Sequence, residues 1–165
     1  MRTGVRLGVD VGRARIGLAR TDPHAMLATP VETVRRADDG SDLARIAAVI
    51  AELEPIEIVV GLPLSMSGAE TASTTDSREF AARLAALGDV PVRLVDERLT
   101  TVSAQSALHR SGRTTRSSRQ VIDQVAAVIL VQHAIDAERS TGSPPGSLVP
   151  ASPQTPSPTP EDRTP

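Results

Sequence analysis

The sequence predicts an α/β domain built on a mixed sheet of five strands with flanking helices. Residues 1–35 contain short β-branched segments joined by hairpin-length turns, which is typical of antiparallel strands. Residues 36–95 alternate between segments of helical periodicity and short apolar segments, which favours parallel strands joined by helices. Residues 56–61 are apolar with little alternation, as expected of a strand buried on both faces.

The elements are expected in the order β-β-β-α-β-α-β-α-α. The predicted strands cover residues 5–10, 15–20, 30–35, 56–61 and 91–95. The first two form a hairpin, and Gly12 in its turn is able to take a positive φ. Ligands of such sheets bind at the carboxyl ends of the parallel strands, where Asp10 and Glu97 both lie.

Capping residues and apolar spacing set the predicted helices. The first is capped by Ser41 or Asp42 and ends before Pro55. The second opens at Thr75 or Asp76 and is ended by Gly88. A third covers residues 102–108 after a cap at Thr100 or Thr101, and the last covers about 118–138.

Composition narrows the class of protein. At 165 residues the chain is long enough for one ordinary domain, and the absence of cysteine excludes disulfides, zinc-thiolate sites and cysteine nucleophiles. No apolar run approaches the ~20 residues of a membrane span, and no signal-peptide core is present, so a soluble cytoplasmic protein is expected. We predict a domain over residues 1–139. Eight of the last 26 residues are proline, and residues 140–165 are predicted to be a Pro/Ser/Thr-rich disordered tail.

The basic residues are all arginine, and they are unevenly distributed. No Asp or Glu occurs between Arg98 and Ile122, a window that also contains Arg110, Arg113, Arg116 and Arg119. Such a segment indicates an anionic partner, with the arginines contacting phosphates without reading sequence. A solvated loop is the alternative for any single arginine. Because Phe80 is the one aromatic residue, base stacking on aromatic side chains is nearly excluded.

Three carboxylates are expected at one end of the sheet. Asp10 ends the first strand, Glu97 follows the fifth, and Asp123 shares the apolar face of the last helix, within its first turns. Each has a plain alternative: an Asx turn at Asp10, a pair with Arg98 or solvent for Glu97, and a helix-dipole contact for Asp123. Together they predict a site for Mg²⁺ or Mn²⁺, and two such ions suit hydrolysis of a phosphodiester.

Four segments carry a resemblance to a known family. The chain resembles the YqgF/RuvX family, the pre-16S ribosomal RNA nucleases and Holliday-junction-resolvase-like proteins of bacteria. The segments are residues 8–12 (GVDVG) with 15–19 (RIGLA), 59–64 (VVGLPL) with Ser67-Gly68, 95–101 (VDERLTT) and 121–130 (VIDQVAAVIL). In the first segment, position 14 is Ala where the family commonly has a basic residue, which leaves Arg13 and Arg15.

The resemblance implies a ribonuclease H-like fold, a cytoplasmic location and maturation of the 5′ end of 16S ribosomal RNA by a metal-dependent nuclease. It places the catalytic and metal-binding triad on Asp10, Glu97 and Asp123. Structured RNA is the expected partner, together with the small ribosomal subunit, or alternatively branched DNA. The expected nucleic-acid contacts are Arg13, Arg15, Arg98, Arg110, Arg113, Arg116 and Arg119.

Three other functions fit parts of the pattern. A resolvase of four-way DNA junctions would use the same triad in a dimer. An actin-like ATPase has a similar first hairpin, but the chain lacks the length and the repeat for a second lobe. A non-catalytic RNA-binding adaptor of the ribosome or transcription machinery would keep the fold without needing the three acids.

Overall fold

The computed structural model describes residues 1–99 and 115–151. In this part of the chain the strands form one mixed sheet in the order β3-β2-β1-β4-β5-β6. The strands are β1 (Arg6–Val11), β2 (Arg15–Thr21), β3 (Ala28–Arg35), β4 (Glu57–Leu62), β5 (Val92–Asp96) and β6 (Ser147–Leu148). β1, β2 and β3 pair antiparallel, whereas β1, β4 and β5 run parallel. The predicted α/β class with a mixed sheet and flanking helices is confirmed.

The sheet has one strand more than the five predicted. β6 pairs antiparallel with β5, with Leu148 opposite Arg93, and the Val149 amide donates to the Val92 carbonyl at 2.8 Å. The beginning of the predicted disordered tail therefore covers a sheet edge that would otherwise expose unpaired backbone groups. Disorder of the tail beyond residue 151 stays a prediction, because residues 152–165 lie outside the described residues.

The helices are α1 (Ser41–Leu53), α2 (Ala72–Ala85) and α3 (Thr115–Thr141), and a 3₁₀ turn covers Glu97–Leu99. The predicted caps of α1 were wrong. Gly40 precedes the helix in a left-handed conformation with no side-chain cap, and Asp42 instead accepts hydrogen bonds from the Ala37 and Leu43 amides. The predicted helix over 102–108, with its caps Thr100 and Thr101, lies outside the described residues.

Helix α2 starts earlier than predicted. Its N-cap is Thr71, whose side chain accepts from the Thr74 amide while the Thr74 hydroxyl accepts from the Thr71 amide. This reciprocal arrangement satisfies two amides at the helix start, which explains why the helix begins there and not at Thr75 or Asp76. The helix ends at Ala85, ahead of the predicted stop at Gly88.

Alternation along the strands divides the core between the two faces of the sheet. Leu7 and Val9 of β1 belong to the apolar cluster that includes residues of α1 and α2. Gly8, between them, points the opposite way, and a Cβ there would lie 2.9 Å from the Ala127 carbonyl of α3. Because side chains alternate in a strand, Asp10 lies on the α3 side of β1, with Gly8.

The face under α3 is lined by small residues. Ala19 of β2 and Ala127 of α3 are both fully buried, and a Cβ on Gly17 would overlap the backbone carbonyl of Asp123. Small side chains let the helix backbone approach the sheet closely. The sequence thus brings the start of α3 onto β1 and β2 at the end of the sheet where Asp10 lies.

Gly12, in the β1–β2 turn, does not take the positive φ that its place in the hairpin suggested. Its amide donates to the Arg15 carbonyl at 2.9 Å, and a Cβ on Gly12 would lie 2.6 Å from that same oxygen. Glycine is required here because the two sides of the turn approach each other, and not because of backbone handedness.

Candidate active site

Asp10 lies between two glycines on the neighbouring strands. Its antiparallel partner on β2 is Gly17, and Gly61 of β4 is next to it, one residue beyond the paired Val9 and Val60. Neither neighbour fills the space above the sheet with a side chain of its own. Other elements therefore enter that space: Glu97 above Gly61, and the Asp123 backbone above Gly17.

Glu97 begins the 3₁₀ turn that follows β5, and its carboxyl lies over Gly61. A Cβ on Gly61 would overlap Glu97 Oε1, so the glycine leaves the space that this carboxyl occupies. Glu97 shares a hydrogen bond with Asp10. The alternative partner, Arg98, instead binds Asp96 with nitrogen–oxygen distances down to 2.6 Å. The predicted proximity of Asp10 and Glu97 is confirmed.

The environment of these two carboxyls favours their protonated forms. Burial raises the pKa of Asp10, and the nearby charge of Asp123 acts in the same direction. Burial and the negative charge of Asp10 raise the pKa of Glu97 to about 8. Two carboxyls in contact hold a proton between them unless a cation replaces it. The Asx-turn alternative for Asp10 does not apply, because the Gly12 amide donates to the Arg15 carbonyl.

Asp123 approaches the pair from α3 but is held by an arginine. Arg15 Nε donates to Asp123 Oδ2 at 2.8 Å, and the two side chains are 30% and 15% exposed. The helix starts at Thr115, so Asp123 lies in its third turn, further in than predicted. This position removes the helix-dipole explanation, because that effect is confined to the first turn.

The three acids lie at one end of the sheet but do not form a closed ligand cluster. Within residues 1–99 and 115–151, no group of three His, Asp or Glu side chains is arranged to hold a metal ion. The structure therefore shows a carboxyl pair, Asp10 and Glu97, with Asp123 directed to Arg15. The donor set at this end is carboxylate oxygen, the type that Mg²⁺ and Mn²⁺ prefer.

The predicted nucleic-acid contacts have different surroundings. Arg13 is exposed in the hairpin turn, Arg15 binds Asp123, and Arg98 binds Asp96 beside the loop that contains Gly68. Two of the predicted contacts, Arg110 and Arg113, lie outside the described residues. For Arg116 and Arg119 only the backbone is described, at the start of α3.

Sequence reasoning missed the role of Gly61. The residue was interpreted as the end of a buried strand, although its position level with Asp10 is what admits Glu97. The signal was available in principle, because pairing the two parallel strands in register places Gly61 beside Asp10. Gly17 is likewise a position of close approach, and its close neighbour is the α3 backbone.

Known proteins resemble this chain over most of its length. Residues 4–137 match the family model described as "RuvX: Holliday junction resolvase". The chain belongs to the RuvX family. Relatives from Clavibacter michiganensis subsp. michiganensis and Thermobifida fusca are 64% and 54% identical, over 91% and 93% of this chain and 94% and 100% of theirs. Both are named "Putative pre-16S rRNA nuclease".

Similar solved structures include Thermus thermophilus RuvC. In its complex with a Holliday junction substrate, the RuvC chain is 19% identical to this one and the TM-score is 0.47. The match covers 84% of this chain and 97% of the RuvC chain. A second structure, titled "Thermus thermophilus RuvC structure", is also 19% identical and has a TM-score of 0.45. The match covers 83% of this chain and 97% of that one. None of the helices among the described residues is long and apolar enough to cross a membrane.

Proposed function

We propose that this RuvX-family protein is a divalent-metal-dependent nuclease that hydrolyses phosphodiester bonds and matures the 5′ end of pre-16S ribosomal RNA. The observation that carries the proposal is the contact between Asp10 and Glu97 over Gly61. Burial raises the pKa of both carboxyls, and the charge of Asp10 raises that of Glu97 further, so a contact between them is unfavourable for stability and favours a functional explanation. Names of the relatives support the RNA substrate, and ribosome maturation would place the protein in the cytoplasm.

The residues present fit a hard divalent cation. Asp10 and Glu97 would hold it with oxygen ligands, in exchange for the proton that the pair otherwise keeps. When bound, such ions activate a water and stabilise the leaving oxygen, and a site with two ions acts on both oxygens at once. We propose Mg²⁺ or Mn²⁺ in a two-metal-ion arrangement, with Asp123 as the third acid.

Arg15 would connect substrate binding to completion of this triad. Its guanidinium binds Asp123 through a partly exposed contact, and such pairs exchange partners at little cost. A substrate phosphate is an equally suitable bidentate partner for arginine. Transfer of Arg15 from Asp123 to the phosphate would leave the Asp123 carboxylate free to turn toward Asp10. Asp123 and Arg15 therefore act together in this proposal, one on the metal side and one on the phosphate.

The test compares wild type with Asp10→Asn on an RNA that spans the 5′ end of 16S ribosomal RNA, with Mg²⁺, with Mn²⁺ and with EDTA. We expect Asp10→Asn to lose at least about a thousandfold in rate, as enzymes do when a catalytic group is removed. The matched control is Asp89→Asn, which changes an exposed aspartate and should cleave like wild type. In cells, normal 16S 5′ ends in a deletion strain carrying Asp10→Ala would refute the nuclease proposal.

A four-way DNA junction is the second candidate substrate, since the family model is described as a Holliday junction resolvase. The acids required are the same, so the acid variants do not separate the two functions. Incubating the wild type with a synthetic junction and with the RNA under one metal condition does separate them. Cleavage of the junction at a rate well above that of the RNA would favour the resolvase.

A further inference from the structure

A cavity of about 580 Å³ lies beside the β1–β2 turn, between the end of β3 and helix α2. We call it the arginine pocket. Its wall includes four arginines from the hairpin turn, the end of β3 and helix α2, and one aspartate: Arg13, Arg35, Arg36, Arg83 and Asp38. None of the predicted sites included Arg35, Arg36 or Arg83.

Arg36 is the fixed part of the arginine pocket. Its side chain donates to the Gly12 carbonyl at 3.0 Å and to both oxygens of Asp76 at 2.8 and 2.9 Å, and it stacks 5.2 Å from the centre of the Phe80 ring. Its amide also donates to the Ala14 carbonyl at 2.9 Å. These contacts join the hairpin turn to α2 and give the cavity a rigid floor.

The other three arginines of the pocket form no ion pair in the described part of the chain. Arg13, Arg35 and Arg83 are exposed, and none forms an ion pair with a carboxylate among the described residues. Thirteen arginines have described side chains, and nine of them do form an ion pair with a carboxylate. The fourth arginine without such a pair is Arg20, which lies elsewhere. Three of four unpaired arginines thus meet at one cavity, which indicates an external anion.

The chemistry of the pocket favours a phosphate over a base. Guanidinium groups match phosphate oxygens bidentately. Phe80 is 1% exposed beneath Arg36 and Arg83, so its ring offers no surface on which a base can stack. The turn that borders the pocket also carries the site, because Asp10 precedes Gly12 and Arg15 follows it. A strand whose scissile phosphate is at Asp10 has further phosphates to place nearby.

We propose that the arginine pocket binds a backbone phosphate of the nucleic acid substrate other than the scissile one. This inference rests on the proposed nuclease function for the position of the scissile phosphate. It gives the protein two contacts with the substrate strand, a chemical site at Asp10 and a positioning site beside the β1–β2 turn. Substrates extended enough to reach both sites would be bound in preference to short ones.

Binding without cleavage tests the proposal. The full chain carrying Asp10→Asn is titrated, in EDTA, into a fluorescently labelled RNA hairpin with a single-stranded 5′ extension, at NaCl from 50 to 200 mM. We expect Arg35→Gln and Arg83→Gln each to weaken binding roughly three- to tenfold at low salt and to reduce the salt slope by about 0.7–0.9. Arg35 is exposed and forms no ion pair among the described residues, so Arg35→Gln keeps the test valid if Arg83→Gln is unstable.

The matched control is Arg20→Gln, which removes an exposed, unpaired arginine from the other end of β2. An equal loss in Arg20→Gln, or no loss in either pocket variant, would overturn the proposal in favour of diffuse attraction. Pyrophosphate binding that depends on Arg35, with RNA affinity unchanged, would overturn it in favour of a free anion. Failure of the nuclease proposal is distinguishable, since the wild type would then not cleave while the arginine-dependent binding persisted.

Discussion

The two ends of the sheet treat buried charge in opposite ways. At the amino ends of β1 and β4, Arg6 and Glu57 are 1% and 3% exposed, yet both are neutralised by partners of opposite charge. At the carboxyl ends, Asp10 and Glu97 meet carboxyl to carboxyl, with Asp123 nearby. The first arrangement is favourable for folding as it stands, whereas the second requires a proton or a cation.

The ion pairs at the amino ends join Arg2, Arg6, Glu57, Arg93 and Glu138, and we call them the amino-end network. This network is built on β1, β4, β5 and α3, the elements that also carry the site. Glu138, near the end of α3, accepts from Arg6 at 3.2 Å and from Arg2 at 2.8 Å, while Arg93 of β5 donates to Glu57 at 2.9 Å. The bond from Arg2 lowers the pKa of Glu138 to about 2. The comparison shows that this fold is able to pair its buried charges. The contact between two carboxyls at the other end is therefore a specific feature of that end.

The largest expected effect comes from breaking the amino-end network with Glu138→Gln. Removing one member leaves Arg6 as a buried charge without its carboxylate, so we expect a loss of about 3–5 kcal/mol in the free energy of unfolding at pH 7. The Glu138 contribution is present above pH 4.5 and is lost as the pH falls toward 2, because its folded-state pKa is lowered. The difference between variant and wild type should shrink over that range.

Urea denaturation monitored by circular dichroism measures this loss. The control is Asp136→Asn, two residues earlier in α3, whose side chain is 57% exposed and pairs with Arg139 at 3.5 Å. That change should stay within about 0.5 kcal/mol of wild type, as surface substitutions usually do. A Glu138→Gln protein as stable as the Asp136→Asn control would contradict the description of the amino end as a stabilising network.

The next effect is expected at the carboxyl end, from Gly61→Ala. The added methyl would overlap Glu97 Oε1, so Glu97 has to leave Asp10 or the strand has to shift. We expect a loss of about 1–3 kcal/mol in unfolding free energy, as for other overpacked sites, together with loss of RNA cleavage. Gly88→Ala is the control, because nothing lies within 4 Å of its Cβ position. A Gly61→Ala protein that cleaves as well as the Gly88→Ala protein would show that the Glu97 position is not needed.

The fold and the position of the three acids, on which the contrast between the two ends of the sheet depends, could largely be predicted from the sequence. The strands follow the expected order because β-branched and apolar segments alternate with helical ones, and the three acids were assigned to one end. The alternation along β1 also determines which face carries Asp10. The start of α2 was harder to predict, because several residues in a row are able to cap a helix. Thr71 is the cap through its pairing with Thr74, whereas Thr75 or Asp76 was expected.

Long-range partners could not be derived from the sequence. Nothing local indicates that Arg15 binds Asp123, 108 residues away, or that Arg2 and Glu138 meet across 136 residues. These contacts depend on how α3 lies across the sheet, which is set by the small residues beneath it. The β6 pairing was missed for a related reason, because a two-residue strand in a proline-rich segment has no periodicity to detect.

The smallest effect is a gain in stability from Glu97→Gln. The folded protein holds the Glu97 proton up to about pH 8, whereas an unfolded glutamate releases it near 4.5. Between these values the folded state binds more protons than the unfolded state, so wild-type stability falls as the pH rises. The glutamine keeps the shape, stays neutral and donates to ionised Asp10. We therefore expect the variant to be more stable than wild type by about 1–2 kcal/mol at pH 8 and by little at pH 5.

Thermal unfolding from pH 5 to 9 in EDTA tests this difference, with the exposed Glu70→Gln as a control that should follow the wild-type curve. Adding Mn²⁺ at pH 8 should reverse the order, because the wild type gains binding energy through a carboxylate that the Glu97→Gln protein lacks. A pH-independent difference between the two proteins would mean that Glu97 is not strained by Asp10. Stabilisation of both proteins to the same extent by Mn²⁺ would place the cation elsewhere, and the contrast between the two ends of the sheet would then be one of folding alone.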